Sequence, residues 1–108
     1  MISKSLPSIS VVVTTFNRPD ALHLVLAALT QQTLLPNEVI IADDGSTEET
    51  RQLIVQLKTT LNYPIKHVWQ ADEGFRAAKI RNQAVLQANY DYLIFLDGDC
   101  VPFPDFIE

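Results

Sequence analysis

Residues 9–18, which read ISVVVTTFNR, decide the fold class. The β-branched run Ile9–Thr15 predicts a strand, because branched side chains pack well on a pleated surface. A strand that is apolar on both faces is typical of a parallel sheet covered by helices. The polar residues 14–18 then indicate that this strand ends at an exposed, functional edge of the sheet.

The rest of the chain alternates between helix and strand patterns. Pro19 suits the first turn of a helix, and apolar residues recur at helical spacing from there to Leu29. Ser46 and Glu49 have the spacing of a capping box, which predicts a second helix that carries Leu61 and ends at the break in residues 62–64. Three more strands are predicted at Glu38–Asp43, residues 65–70 and residues 90–96, and a third helix carries Ala77, Ile80, Ala84 and Ala88 on one stripe.

This βαβαβαβ order predicts an α/β fold with an open, mostly parallel, Rossmann-like sheet and helices on both faces. The chain has 108 residues, enough for one modest core. It stops at an apolar pair, Phe106 and Ile107, that is typical of the beginning of a further packed element. We therefore interpret the chain as a truncated domain.

Composition excludes several classes of protein. The net charge of -5 disfavours a nucleic-acid surface, and the single cysteine, Cys100, excludes an internal disulfide and a zinc site built on several thiolates. No apolar run of about 18 residues and no signal-peptide pattern are present. We expect a soluble, cytoplasmic protein.

Asp97 and Asp99 follow the fourth predicted strand and are two residues apart, so their side chains point the same way in an extended segment. Two hard oxygen donors suit Mg²⁺ or Mn²⁺, with coordination positions left for diphosphate oxygens. Gly98 between them would let a ligand approach the backbone. The alternative is an acidic loop that merely ends a strand.

Polar and charged side chains elsewhere extend this predicted edge. Asp43 and Asp44 end the second strand, where a carboxylate can accept the N3 hydrogen of uracil, although both could instead cap the turn. Phe16 could present an apolar face to the same base or belong to the core. Arg76 and Lys79 share a helix face near its N-terminus and predict a diphosphate site, unless they form a solvated basic face.

Four segments together resemble family two of the glycosyltransferases, which have the GT-A fold. They are VVVTTFNRP (residues 11–19), IIADDGSTEET (40–50), GFRAAKIRNQA (74–84) and FLDGDC (95–100). The third segment resembles bacterial polysaccharide and chondroitin-type transferases. The resemblance implies a metal-dependent enzyme that transfers sugar from a nucleotide diphosphate sugar, usually a uridine diphosphate (UDP) sugar, to a glycan or another hydroxyl acceptor.

The resemblance also implies roles for individual residues. Thr14, Phe16 and Arg18 would line the nucleotide pocket, and Asp44 would contact uracil. Asp97 would lie near the ribose or the donor sugar, and Asp99 would bind the metal. Asn82 and Arg76 would shape the diphosphate and sugar side of the site.

Residues 1–108 would then be the N-terminal, donor-binding part of a GT-A domain. Family members carry the acceptor site and a carboxylate general base in a second half, so the chain alone should bind donor weakly and transfer sugar poorly. An uncovered sheet edge would favour self-association. The full-length enzyme could lie at the inner face of the membrane.

Two other classes of protein compete with this interpretation. A phosphorylation-dependent receiver domain also carries an acidic pair, but here the pair follows the second strand instead of the first. A non-catalytic nucleotide-binding module would show a binding edge without a general base. A dinucleotide-dependent dehydrogenase is disfavoured, because residues 15–18 lack the glycines needed for close approach of a pyrophosphate.

Overall fold

The computed structural model describes residues 8–71, 77–98, 102, 104 and 107. Over these residues, strands and helices alternate in the predicted order, which confirms the α/β fold. The elements are β1 (Ile9–Thr15), α1 (Pro19–Leu29), β2 (Glu38–Asp43), α2 (Glu48–Leu57), β3 (Ile65–Trp69), α3 (Ala77–Leu86) and β4 (Tyr92–Asp97).

The strands form one parallel sheet in the order β3-β2-β1-β4. Thr15 of β1 lies opposite Asp43 of β2, and Thr14 of β1 lies opposite Asp97 of β4. The chain moves outward from β1 to β3 and then returns to the other side of β1. The strand order therefore reverses between β1 and β4, and ligands of open α/β sheets bind beyond the carboxyl ends of the strands at such a point.

Apolar side chains cover the sheet on both faces, as predicted. On one face, Val11, Val13 and Ile41 pack against α1 and α2. On the other face, Val12, Ile40 and Ala42 pack against Ile80 and Ala84 of α3. Successive residues of β1 and β2 point into different cores, which explains why the central residues of both strands, 11–13 and 39–42, are apolar without a break.

A buried polar cluster closes the amino end of the sheet. Glu38 is only 2% exposed, and its Oε2 accepts hydrogen bonds from Ser10 Oγ at 2.6 Å and from the Asn89 amide at 2.7 Å. Lys66 Nζ lies 3.1 Å from Oε1. Burial opposes ionisation of Glu38, but the bonds from Asn89, Ser10 and Lys66 outweigh it and lower the pKa of this carboxyl.

The predicted capping box at the start of the second helix is wrong. Helix α2 begins at Glu48 with Thr47 at its N-cap, and no side chain caps it. The Ser46 hydroxyl instead accepts a hydrogen bond from the Asn17 amide at 2.8 Å. A contact between two strand-end loops has replaced the local bond that the spacing of Ser46 and Glu49 favours.

Some predicted boundaries differ from the observed ones. Helix α2 ends at Leu57, and Leu61 follows in a turn in which its amide bonds to the Leu57 carbonyl. Strand β3 ends one residue early, at Trp69, and β4 spans Tyr92–Asp97 instead of residues 90–96. These shifts leave the strand order and the position of the acidic residues unchanged.

Residues near the chain's end contact the end of α1. The Ile107 amide donates to Gln32 Oε1 at 3.1 Å, and Ile107 is 7% exposed and belongs to the core on the α1 side. Ile107 thus packs on the core of the described sheet, whereas Phe106 lies outside the described residues, and the further packed element expected from this pair stays a prediction. Within the described part of the chain, no helix has the length and apolarity needed to span a membrane.

Candidate functional site

The carboxyl ends of β1 and β4 meet at the point where the strand order reverses. Thr14 Oγ1 donates a hydrogen bond to Asp97 Oδ1 over 3.3 Å. This separation is long for a bond between two oxygen atoms, so the contact holds Asp97 weakly. Asp97 is exposed. An exposed and loosely held carboxylate therefore lies at the position where this class of sheet binds ligands.

Gly98 is required by the packing of these strand ends. A Cβ atom at this position would lie 2.3 Å from the Thr14 carbonyl oxygen. Gly98 itself is buried. The missing side chain therefore accommodates the chain's own backbone, which is a different reason for the glycine than the expected approach of a ligand.

The loop after β1 presents Phe16 at the same edge. Phe16 is 45% exposed, so the alternative assignment to the core is wrong. Its neighbour Asn17 has a φ of 49°, in the left-handed region that non-glycine residues seldom adopt. Asn17 is fixed on both sides, because its amide bonds to Ser46 Oγ and its Oδ1 accepts from the Thr47 amide, each at 2.8 Å.

Arg18 is exposed and pairs with Asp20 in the first turn of α1, with Arg18 Nε 3.2 Å from Asp20 Oδ1. This hydrogen bond from Arg18 lowers the pKa of the Asp20 carboxyl. Exposed pairs of this kind are weak, so the Arg18 side chain can exchange Asp20 for another anion at low cost. The structure places Arg18 next to the Phe16 loop.

The two carboxylates that end β2 differ in surroundings. Asp43 is fully buried, and its Oδ1 accepts from the Ser46 amide at 2.9 Å while its Oδ2 lies 2.7 Å from His67 Nε2. Asp43 therefore caps the turn, as the alternative interpretation has it. Asp44 is 8% exposed and receives a hydrogen bond from Gln70 Nε2 at 2.6 Å. Its amide bonds to the Thr15 carbonyl, which ties it to the end of β1.

The basic side chains predicted for the diphosphate are only partly described. Lys79 lies in the first turn of α3, which follows β3 and so begins at the carboxyl edge of the sheet. Lys79 and Asn82 are exposed, and Ile80 between them is buried in the core. Arg76 lies outside the described residues.

The proposed metal ligands can be tested on Asp97. Its carboxylate is a hard oxygen donor, it is exposed, and within the described part of the chain its hydrogen bond is the weak one from Thr14, so it fits a Mg²⁺ or Mn²⁺ ion. Asp99 lies outside the described residues. Among the residues that are described, no three His, Cys, Asp or Glu side chains form a metal-binding group.

Sequence reasoning missed three side chains that shape this edge. His67 contacts Asp43, Gln70 contacts Asp44, and Trp69 Nε1 donates to the Ser46 carbonyl at 3.1 Å. All three belong to β3 or directly follow it. A sequence signal for Trp69 and Gln70 is their position at the carboxyl end of a predicted strand, whereas His67 lies in the middle of that strand and has no such signal.

Several curated proteins are similar to the chain, among them two synthases. The chain is 44% identical over 97 residues to hyaluronan synthase of Pasteurella multocida, which covers 89% of the chain and 10% of that protein. It is 38% identical over 101 residues to chondroitin synthase of Escherichia coli, which covers 93% of the chain and 14% of that protein. The chain thus spans a small part of the length of these relatives.

A solved structure has the same architecture. The crystal structure of S. aureus TarS 1-349 in complex with UDP superposes with a TM-score of 0.74 at 28% identity, over 93% of this chain and 30% of that one. The family profile described as glycosyl transferase family 2 matches residues 10–108. The four-stranded parallel sheet, the acidic strand ends and this match over nearly the whole chain agree, and the chain belongs to the family 2 glycosyl transferases.

Proposed function

We propose that this chain holds the nucleoside diphosphate of a UDP-sugar donor for metal-dependent transfer to a glycan or another hydroxyl acceptor. The observation that carries the proposal is the meeting of Thr14 and Asp97 where the strand order reverses, beside the strand end that bears Asp44. Family membership and the likeness to TarS, which is solved with UDP, support the choice of nucleotide.

The base and ribose lie between β1 and β2 in this proposal. Asp44 accepts the N3 hydrogen of uracil, and the hydrogen bond from Gln70 fixes the orientation of its carboxylate. The exposed ring of Phe16 packs beside the base, while Thr14 and Arg18 line the pocket. Because Asp44 is almost buried, its hydrogen bond to the base would form in a low-dielectric environment, where such bonds discriminate strongly.

The diphosphate and the metal lie toward β4. Asp97 and Asp99 would hold Mn²⁺ or Mg²⁺, and Arg76, Lys79 and Asn82 would face the diphosphate and sugar. Positive charge from such a cation stabilises the departing diphosphate. Lys79 adds to this field from the first turn of α3, where the helix dipole also favours anions.

We further propose that residues 1–108 are the N-terminal, donor-binding part of a longer catalytic domain. Support comes from the lengths of the relatives, because the chain covers only 30% of the TarS fragment and still matches it over 93% of its own residues. The general base and the acceptor site then lie in other parts of the protein. A cytoplasmic location belongs to the same proposal and agrees with the single cysteine.

Calorimetric titration with UDP, with and without Mn²⁺, tests the proposal. We expect wild-type chain to bind UDP more tightly in the presence of Mn²⁺. Asp97→Asn should lose the gain that Mn²⁺ gives and keep its metal-free affinity. Asp44→Asn should weaken binding under both conditions, because the contact with uracil does not involve the metal.

Asp91→Asn is the matched control, since Asp91 is an exposed aspartate directly before β4. It should leave both affinities unchanged. Equal behaviour of Asp97→Asn and Asp91→Asn would contradict the assignment of the metal site. A coupled transfer assay on the longer protein separates an enzyme from a non-catalytic nucleotide-binding module, which would bind UDP and transfer no sugar.

We also propose that isolated copies of the chain associate through β4. This strand forms one edge of the described sheet, and Tyr92 and Phe95 on it are 61% and 48% exposed. An unpaired edge with large apolar side chains favours pairing with a second copy. Light scattering should show a mass that rises with concentration and falls in Phe95→Lys, whereas a monomer at every concentration would exclude the association.

A further inference from the structure

We propose that His67 is a positioning residue for the nucleotide pocket and acts through Asp43, an inference that rests on the function proposed above. His67 is the third of the five residues of β3, and its side chain is 14% exposed. Its Nε2 lies 2.7 Å from Asp43 Oδ2. A carboxylate oxygen can only accept, so the Nε2–H donates and Asp43 fixes the imidazole tautomer.

Asp43 also contacts the loop that follows β2. Its other oxygen, Oδ1, accepts a hydrogen bond from the Ser46 amide at 2.9 Å, and the carboxylate is 1% exposed. A buried carboxylate needs a donor on each oxygen, because an unsatisfied buried charge is costly. Loss of the His67 donor would therefore draw the Asp43 carboxylate away from Ser46 toward another donor or toward water.

Ser46 in turn holds the loop after β1. Its hydroxyl accepts from the Asn17 amide at 2.8 Å, and Asn17 Oδ1 accepts from the Thr47 amide at the same distance. Asn17 has left-handed backbone angles, which cost energy in a non-glycine residue and persist only where neighbours enforce them. The two residues that flank Asn17 are Phe16 and Arg18.

A continuous set of contacts thus runs from His67 through Asp43 and Ser46 to Asn17. Its far end sets the direction in which Phe16 and Arg18 leave the sheet. Among the residues that the structure describes, the His67 side chain bonds to Asp43 and not to a residue that would contact the nucleotide, so its effect on binding is indirect. We expect the geometry of the pocket, and hence UDP affinity, to depend on a donor at residue 67.

The test measures UDP affinity by calorimetry in His67→Leu and His67→Gln, with urea unfolding of each variant to confirm that it is folded. Leucine has no donor, so we expect affinity to fall about tenfold. Glutamine keeps an N–H donor and should bind within about twofold of wild type. Trp69, the only tryptophan, bonds to the Ser46 carbonyl and reports on the same loop, so its emission should shift in His67→Leu and not in His67→Gln.

Lys66→Met is the matched control on the adjacent residue of β3. It removes the ion pair with Glu38 at the amino end of the sheet, so it should lower stability without changing UDP affinity. If His67→Leu binds UDP as wild type does, or if it weakens binding no more than Lys66→Met, the positioning role is excluded. If wild-type chain does not bind UDP at all, the proposed function fails and the role of His67 fails with it.

Discussion

The two ends of the sheet are built from similar residues but in opposite ways. At the amino end, Glu38 is buried and receives hydrogen bonds from Ser10 and Asn89 and an ion pair from Lys66. At the carboxyl end, Asp97 is exposed and has one long contact with Thr14. A carboxylate with its oxygens satisfied stabilises the fold, whereas one that is exposed and weakly held is available to a ligand.

Acidic residues at strand ends therefore have to be classified by their burial and their hydrogen bonds before a functional role is assigned to them. Asp43 shows that the same distinction applies at the carboxyl end of the sheet. It is buried and hydrogen-bonded like Glu38, although it is next to Asp44 in sequence. If the two ends differ in this way, stability depends on the amino end of the sheet and ligand binding on the carboxyl end.

Glu38→Ala should have the largest effect on stability. It leaves Lys66, Ser10 and the Asn89 amide without their acceptor, and we expect the free energy of unfolding to fall by about 2 to 4 kcal/mol. Urea unfolding measures the change. Gln52→Ala on the exposed side of α2 is the control and should change stability by less than about 0.5 kcal/mol. If folded Glu38→Ala loses UDP affinity, stability and ligand binding do not depend on different ends of the sheet.

Gly98→Ala should have the second-largest effect on stability and should also affect UDP binding. The added methyl group would meet the Thr14 carbonyl at 2.3 Å, so the ends of β1 and β4 have to move apart. We expect a loss of about 1 to 3 kcal/mol in the free energy of unfolding and weaker binding of UDP with Mn²⁺. Unchanged stability would show that these strand ends are less tightly packed than the structure has them.

The pH dependence of stability tests whether ionised Glu38 stabilises the amino end of the sheet. The pKa of Glu38 is lowered in the folded chain, so its contribution is present above its unfolded pKa and is lost as pH falls through its folded pKa. Urea unfolding between about pH 7 and about pH 3 should show the stability difference between wild type and Glu38→Gln shrinking as the pH falls. A difference that stays constant would contradict the role given to the ionised Glu38.

Arg18→Ala should have the smallest effect on stability. Its pair with Asp20 is exposed, so we expect no measurable change in urea unfolding. UDP affinity should fall, because Arg18 belongs to the proposed pocket. Asp20→Asn removes the same pair from the other side and should change neither property. Equal effects of the two variants on UDP affinity would mean that the ion pair, and not Arg18 itself, matters for binding.

Much of the fold follows from local patterns in the sequence. The apolar runs of β1 and β2 predict these strands with the bounds that the structure has, and helical spacing after Pro19 predicts α1. These patterns predict the elements correctly because each strand or helix buries residues at the spacing typical of that type of structure. Burial in the fold and local preference therefore agree. The strand order β3-β2-β1-β4 depends on contacts between distant residues, and no local pattern encodes it.

The site is predictable only in part for the same reason. The sequence places Thr14, Phe16, Asp44 and Asp97 at strand ends, and the structure brings these ends to one edge of the sheet. The contacts of His67 and Gln70 with the acidic pair arise from the pairing of β2 with β3. The local spacing of Ser46 and Glu49 predicts a capping box, whereas the observed partner of Ser46 is Asn17, which lies 29 residues away in sequence.

The most direct test of the difference between the two ends is the effect of bound Mn²⁺ on the amide signals of isotope-labelled chain in the presence of UDP. The paramagnetic ion broadens signals from nearby amides. The two ends are about 20 Å apart, given the rise per residue of a strand. We predict that the amides of Thr15, Asp44 and Gly98 lose intensity while those of Asn37 and Asn89 keep it. Loss at Asn37 and Asn89, or no selective loss anywhere, would contradict a metal and nucleotide site at the carboxyl end of the sheet.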